Sequence, residues 1–133
     1  MTQISKNCRS KHKIVAIKEK RSSYRMEGKQ KDCIEKIVVD GCAITHGARC
    51  DYLLVTGGIN YFVELKGTDL VKAAKQVVAT ITKLGESSPM FARIVAARVP
   101  KAGTDMVRAL TVIKSKYPAC QVLIASQRHI DRV

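Results

Sequence analysis

Gly57 and Gly58 lie between two runs of strand-forming residues, Tyr52 to Val55 and Ile59 to Val63, and no other feature constrains the fold as strongly. A two-residue hairpin turn needs positive φ at both central positions, which glycine adopts without steric cost. If the pair forms such a turn, facing residues have numbers that add to a constant. Thr56 then opposes Ile59, Leu54 opposes Tyr61 and Asp51 opposes Glu64. Opposed residues share a face of the sheet, with Cβ atoms about 4.5–5.5 Å apart. Strand alternation puts Lys66 on the face of Glu64. The spacing therefore predicts an Asp, a Glu and a Lys converging at one end of the hairpin.

Two carboxylates held that close repel each other until a proton, a cation or a metal ion relieves them. Lys66 supplies one positive charge. Mg²⁺ or Mn²⁺ would supply more, since both prefer carboxylate, carbonyl and water oxygens. The backbone carbonyl of Leu65 is a further candidate ligand, and Asp40, from the preceding strand, is another. Asp40 is followed by Gly41, however, a pairing that more often makes a turn. A cross-strand salt bridge on a solvated face is the plain alternative for Glu64 and Lys66.

The rest of the chain frames this hairpin. Ile14 to Ile17 is a short apolar run suited to a strand, and Ile34 to Ile44 is a β-rich segment. After the hairpin, Leu70, Ala74, Val77, Ile81 and Leu84 recur at helical spacing, with Thr68 or Asp69 to cap the start and Gly85 to end it. Gly85 to Pro89 reads as a loop. Met90 to Val99 reads as a buried strand, Thr104 to Tyr117 as a second helix stopped by Pro118, and Gln121 to Ala125 as a last strand. The expected fold is α/β: a mixed central sheet flanked by helices, in the order β-β-β-α-β-α-β.

Charge bears on the partner. The 133 residues fit one domain, and 24 Lys and Arg against 11 acids give a net charge of +13. That excess exceeds what solubility needs and attracts polyanions, nucleic acid first among them. Residues 1–31 read as a basic N-terminal arm or short strand region. Within the basic run Lys6 to Lys31, the residues Lys18, Lys20, Arg21 and Arg25 are candidate phosphate contacts as a group, together with Arg49 and Lys72. No apolar run approaches the length of a membrane helix, and the N-terminus lacks a secretory apolar stretch, so the expected location is cytoplasmic, with no membrane partner. Five cysteines without Cys-x-x-Cys spacing read as reduced thiols, with neither zinc nor disulfides expected. His12, His46 and His129 read as surface residues or phosphate contacts. With 5% aromatic residues and no tryptophan, a platform for stacking unpaired bases has little support.

Asp51, then Glu64, Leu65 and Lys66 after a tight hairpin, then a helix, resembles the PD-(D/E)XK nuclease superfamily, which includes restriction endonucleases and archaeal Holliday-junction resolvases. The resemblance spans roughly residues 34 to 99. It implies a restriction-endonuclease-like core and Mg²⁺- or Mn²⁺-dependent hydrolysis of DNA, usually by a homodimer. It implies Asp51 and Glu64 as metal ligands, Lys66 as catalytic lysine and Gln76, or else Lys72, as the helix position some members use. The chain departs from the pattern in carrying Cys50 where proline is common. It also lacks an evident helix with a Glu before the hairpin, Glu27 and Glu35 being weak substitutes. Two other readings stay open: an inactive nucleic-acid-binding module on the same fold, and a basic protein-interaction or immunity-type protein.

Overall fold

A computed structural model describes residues 4–28, 33–85, 89–99 and 103–133. Lys29 and Lys31 of the basic run, and Glu86 to Ser88 of the Gly85–Pro89 loop, lie outside the described residues. Among the described residues, a 3-10 turn, Lys6–Cys8, leads into nine strands and two helices. The strands are β1 (Arg9–His12), β2 (Ile14–Glu19), β3 (Ser22–Glu27), β4 (Ile34–Val38), β5 (Tyr52–Thr56), β6 (Ile59–Lys66), β7 (Met90–Ala96), β8 (Gln121–Ser126) and β9 (Arg128–Arg132). The helices are α1 (Leu70–Leu84), between β6 and β7, and α2 (Thr104–Lys116), between β7 and β8. From Ile34 to Ser126 the order is β-β-β-α-β-α-β. No helix among the described residues is long and apolar enough to cross a membrane.

Six strands form a mixed sheet in the order β1-β4-β5-β6-β7-β8. Its first three pairings are antiparallel and its last two parallel. The glycine turn sets the register as its spacing predicts: Thr56 pairs with Ile59, Leu54 with Tyr61 and Tyr52 with Val63. Gly57 and Gly58 have φ of 56° and 74°. The Asp69 side chain caps α1 by accepting from the Lys72 N–H at 3.0 Å, and Gly85 ends it.

The central sheet is covered differently on its two faces. Phe62, Leu53, Ile37 and Ile94 pack with Val77, Ile81 and Ile113 of the helices. Tyr61, Val63, Leu65 and Leu54 pack with Val15, Ile17, Tyr24 and Met26 of a second sheet, ordered β2-β3-β9. Helices therefore cover one face, and a three-stranded sheet covers the other. That sheet is hard to read because its alternation is polar. In β3, buried Ser22, Tyr24 and Met26 alternate with half-buried Ser23, Arg25 and Glu27. In β9 the less exposed positions are His129 and Asp131.

The cysteines correct one expectation. Cys8 and Cys42 form a disulfide, while Cys33, Cys50 and Cys120 are free. Pairing of β1 with β4 sets Arg9 opposite Ile37, and the turn after β4 carries Cys42 back toward Cys8. Their Cα atoms end 5.7 Å apart, within disulfide reach. A sequence separation of 34 hides that proximity from any spacing rule. Cys50 is fully buried, and burial pushes its thiol up, away from the reactive thiolate.

Candidate active site

Glu64 shares the helix-side face of β6 with Phe62, because side chains alternate along a strand. Its side chain is only 2% exposed. Asp51 stands just before β5, one step beyond the last ladder pair. Its Oδ2 accepts from the Leu65 N–H at 2.8 Å, so Asp51 is pinned to the strand that carries Glu64. The main chain around it is fixed as well. The Asp51 carbonyl accepts from the N–H groups of Val39 and Asp40, and the Cys50 N–H donates to Thr80 Oγ of α1 at 2.7 Å. Lys66 Nζ lies 3.8 Å from Glu64 Oε2 and donates to Gln76 Oε1 at 3.1 Å. Asp51, Glu64, Lys66 and Gln76 thus line one cleft of about 510 Å³.

The electrostatics are unbalanced. Glu64 Oε1 is buried and has no hydrogen-bond partner among the described residues, an arrangement native interiors rarely tolerate. Burial, and then the negative charge of Asp51, push the Glu64 carboxyl up to about 9, against the pull of Lys66. Asp51 is raised too, chiefly by burial; the Leu65 N–H opposes this and the charge of Glu19 adds to it. Lys66 does not offset both carboxylates, and the raised Glu64 carboxyl takes up a proton instead.

The remaining candidates spread around it. Leu65 meets Asp51 through its N–H. Asp40 borders the cleft, is half-exposed, and is held by Arg49 Nε at 2.7 Å. Lys20 and Arg21, in the β2–β3 turn, form one bank. Arg49, Lys72 and Lys75 line an adjoining groove of about 490 Å³ that shares Asp40 and Gln76 with the cleft. Lys18 borders a smaller recess beside Asp51, and Arg25 lies away from the cleft, on the outer face of the second sheet. Glu27 pairs with Arg25 and Arg132 and Glu35 with Arg9; neither lines the cleft.

No family model, no curated protein and no solved structure matches the chain.

Sequence reasoning missed Glu19. It closes β2 and lines the cleft with Asp51 and Glu64, a third acid delivered by a strand of the second sheet. Within the run from Lys18 to Arg21 it looked like ordinary surface charge. Lys75 was missed as well, one helical turn from Lys72. Among the described residues, no three His, Cys, Asp or Glu side chains stand close enough together to hold a metal ion. His129, read as a surface residue or phosphate contact, is partly exposed and lies 3.0 Å from Asp131.

Proposed function

We propose that the chain is a metal-dependent nuclease with a restriction-endonuclease-like core, hydrolysing phosphodiester bonds in DNA. The observation that carries this reading is the orphaned Oε1 of Glu64, buried in a cleft beside Asp51 and Lys66. Two adjacent carboxylates suit a hard cation: Asp51 and Glu64 would hold Mg²⁺ or Mn²⁺, with the Leu65 carbonyl and water as further oxygens, since among the described residues neither Asp40 nor Glu19 stands close enough to complete a three-acid cluster. When bound, such an ion supplies Lewis acidity to a phosphodiester. The chain's own groups do the rest. Gln76 holds the Lys66 ammonium where it can stabilise charge developing on a phosphate. The Leu65 N–H fixes Asp51 and opposes the rise that burial imposes on its carboxyl. Lys20 and Arg21 on one bank, with Arg49, Lys72 and Lys75 on the other, offer phosphate contacts on either side of the acidic centre. Cutting both strands of a duplex needs two such centres, so we propose a homodimer, working in the cytoplasm. The Cys8–Cys42 disulfide is the observation that this location has to meet, because a reducing compartment disfavours such bonds.

The test is cleavage of supercoiled, linear and branched DNA with Mg²⁺ or Mn²⁺, beside Asp51→Ala and Lys66→Ala. The expected result is metal-dependent cleavage that either substitution lowers by about 10²–10³-fold or more, with DNA binding retained. Among the described residues no third acid closes on Asp51 and Glu64, which favours a second reading, an inactive nucleic-acid-binding module. Binding without cleavage under every metal condition would establish it. A tight stoichiometric complex with an acidic protein, alongside weak DNA binding, would overturn both.

A further inference from the structure

The three-stranded sheet buries one face and leaves the other open. Its register aligns outward residues in rows: Lys18, Ser23 and Arg128 in one, Ala16, Arg25 and Ile130 in the next. Arg132 stands in the last row, opposite Glu27. Four cations therefore share this face with one acid, and Glu27 is already held by Arg25 at 2.6 Å and Arg132 at 3.3 Å. Lys18 and Arg128 are exposed and make no ion pair among the described residues. With Arg25 and His129 they edge a hollow of about 280 Å³ that no acid among the described residues lines. Lys18 also borders the recess beside Asp51, so the cationic face runs into the β2–β3 turn and from there into the cleft.

We propose that this open face is a second docking surface, for the phosphate backbone of a DNA duplex lying across β2, β3 and β9. The chemistry selects the occupant. A row of fixed cations suits a regular line of phosphates. No outward position in these strands is aromatic, so the face offers unpaired bases nothing to stack on. Its exposed aliphatic residues, Ile14 at 48% and Ile130 at 40%, are too few and too separated to anchor a protein core. The surface joins Lys18 and Arg25, near the start of the chain, to Arg128 from its end, a grouping that only the parallel pairing of β3 with β9 creates. The inference rests on the nucleic-acid reading above but not on hydrolysis.

The experiment is a salt titration of binding to a short labelled duplex, in EDTA so that cleavage plays no part. Wild type is compared with Lys18→Gln/Arg128→Gln and with Lys114→Gln/Lys116→Gln, which removes equal charge from α2 on the far side of the central sheet. Losing two phosphate contacts should make the slope of log affinity against log salt shallower by about 2, and the α2 pair should leave it unchanged. Far-UV circular dichroism checks that both variants keep their fold; should Lys18→Gln/Arg128→Gln fail it, Lys18→Ala and Arg128→Ala singly should each lower the slope by about 1. Equal slopes in wild type and the β2/β9 variant overturn the proposal. So does an equal loss in both variants, which means diffuse binding, or a selective loss of affinity for polyglutamate, which means an acidic protein partner. A protein that binds with the expected slopes but never cleaves DNA defeats only the nuclease reading.

Discussion

Asp131, on β9, accepts from the Tyr24 hydroxyl at 2.6 Å and from Arg93 Nε at 2.7 Å on one oxygen, and meets His129 Nε2 at 3.0 Å on the other. Glu64, on β6, has one ammonium 3.8 Å from Oε2, the Asp51 carboxylate and main chain beside it, and no hydrogen-bond donor in good geometry on Oε1 among the described residues. Burial acts to raise both carboxyls. For Asp131, hydrogen bonds from Arg93, Tyr24 and His129 outweigh it and the carboxyl ends lowered; for Glu64, burial and Asp51 prevail. The first site joins β3, β7 and β9, and so ties the two sheets together. The second joins β6 to α1 through Lys66 and Gln76 but leaves an acceptor unused. The difference separates two roles: the satisfied, half-buried Asp131 holds the two sheets together, whereas Glu64 leaves a buried acceptor unmet at the edge of a cleft, the kind of site where function rather than stability is sought.

The largest expected effect separates the two sites by stability. Arg93→Met leaves the half-buried Asp131 without its main cation, and should cost about 3 kcal/mol, the low end for breaking a buried pair. Lys66→Met, whose pair is longer and partly exposed, should cost under about 1 kcal/mol. Urea unfolding of the two variants measures both, and equal losses would erase the distinction. Metal comes next. At a concentration of one hundred times its dissociation constant, Mn²⁺ should stabilise the wild type by about 2.7 kcal/mol. Asp131→Asn should start from a lower melting temperature yet keep that gain, whereas Asp51→Asn should lose it. A calorimetric scan with Mn²⁺ in which all three proteins shift alike would place the ion elsewhere.

The sequence revealed Glu64 and concealed Asp131, for the same physical reason. Hydrophobic periodicity marks an element when its inward residues are apolar. Around Glu64, the glycine pair and the apolar flanks from Tyr52 to Val63 fix register, face and neighbours, so Asp51 and Lys66 follow from counting, while Gln76 comes only from the family resemblance, with Lys72 as its alternative. In β9 the inward positions are His129 and Asp131, which become core only because Arg93 and Tyr24, remote in sequence, satisfy them. Pattern alone cannot supply those partners. β3 hid behind its arginine and glutamate, and with it went the second sheet and the place of Glu19. The Cys8–Cys42 contact likewise needs the β1–β4 pairing, which leaves no periodic trace in the segment Arg9 to His12.

The smallest effect is also the most diagnostic, because it changes sign between the sites. In metal-free protein the Glu64 carboxyl is raised from 4.5 to about 9. The folded state therefore holds a proton that the unfolded chain releases, and the stability this brings is full below pH 4.5 and lost as pH rises toward 9. Glu64→Gln removes that loss. Measured in EDTA, its stability relative to wild type should climb from pH 5 to pH 9, reaching about 1–3 kcal/mol, the usual cost of an unsatisfied buried polar group. Asp131 runs the other way. Its carboxyl is lowered below 3.8, so its contribution is present above that pH and fades as pH falls through its folded value. The gap between wild type and Asp131→Asn should accordingly narrow only in acid. A difference for Glu64→Gln that stays flat from pH 5 to 9 would mean that its carboxylate finds a partner after all, and the case for a cation in the cleft would lose its footing.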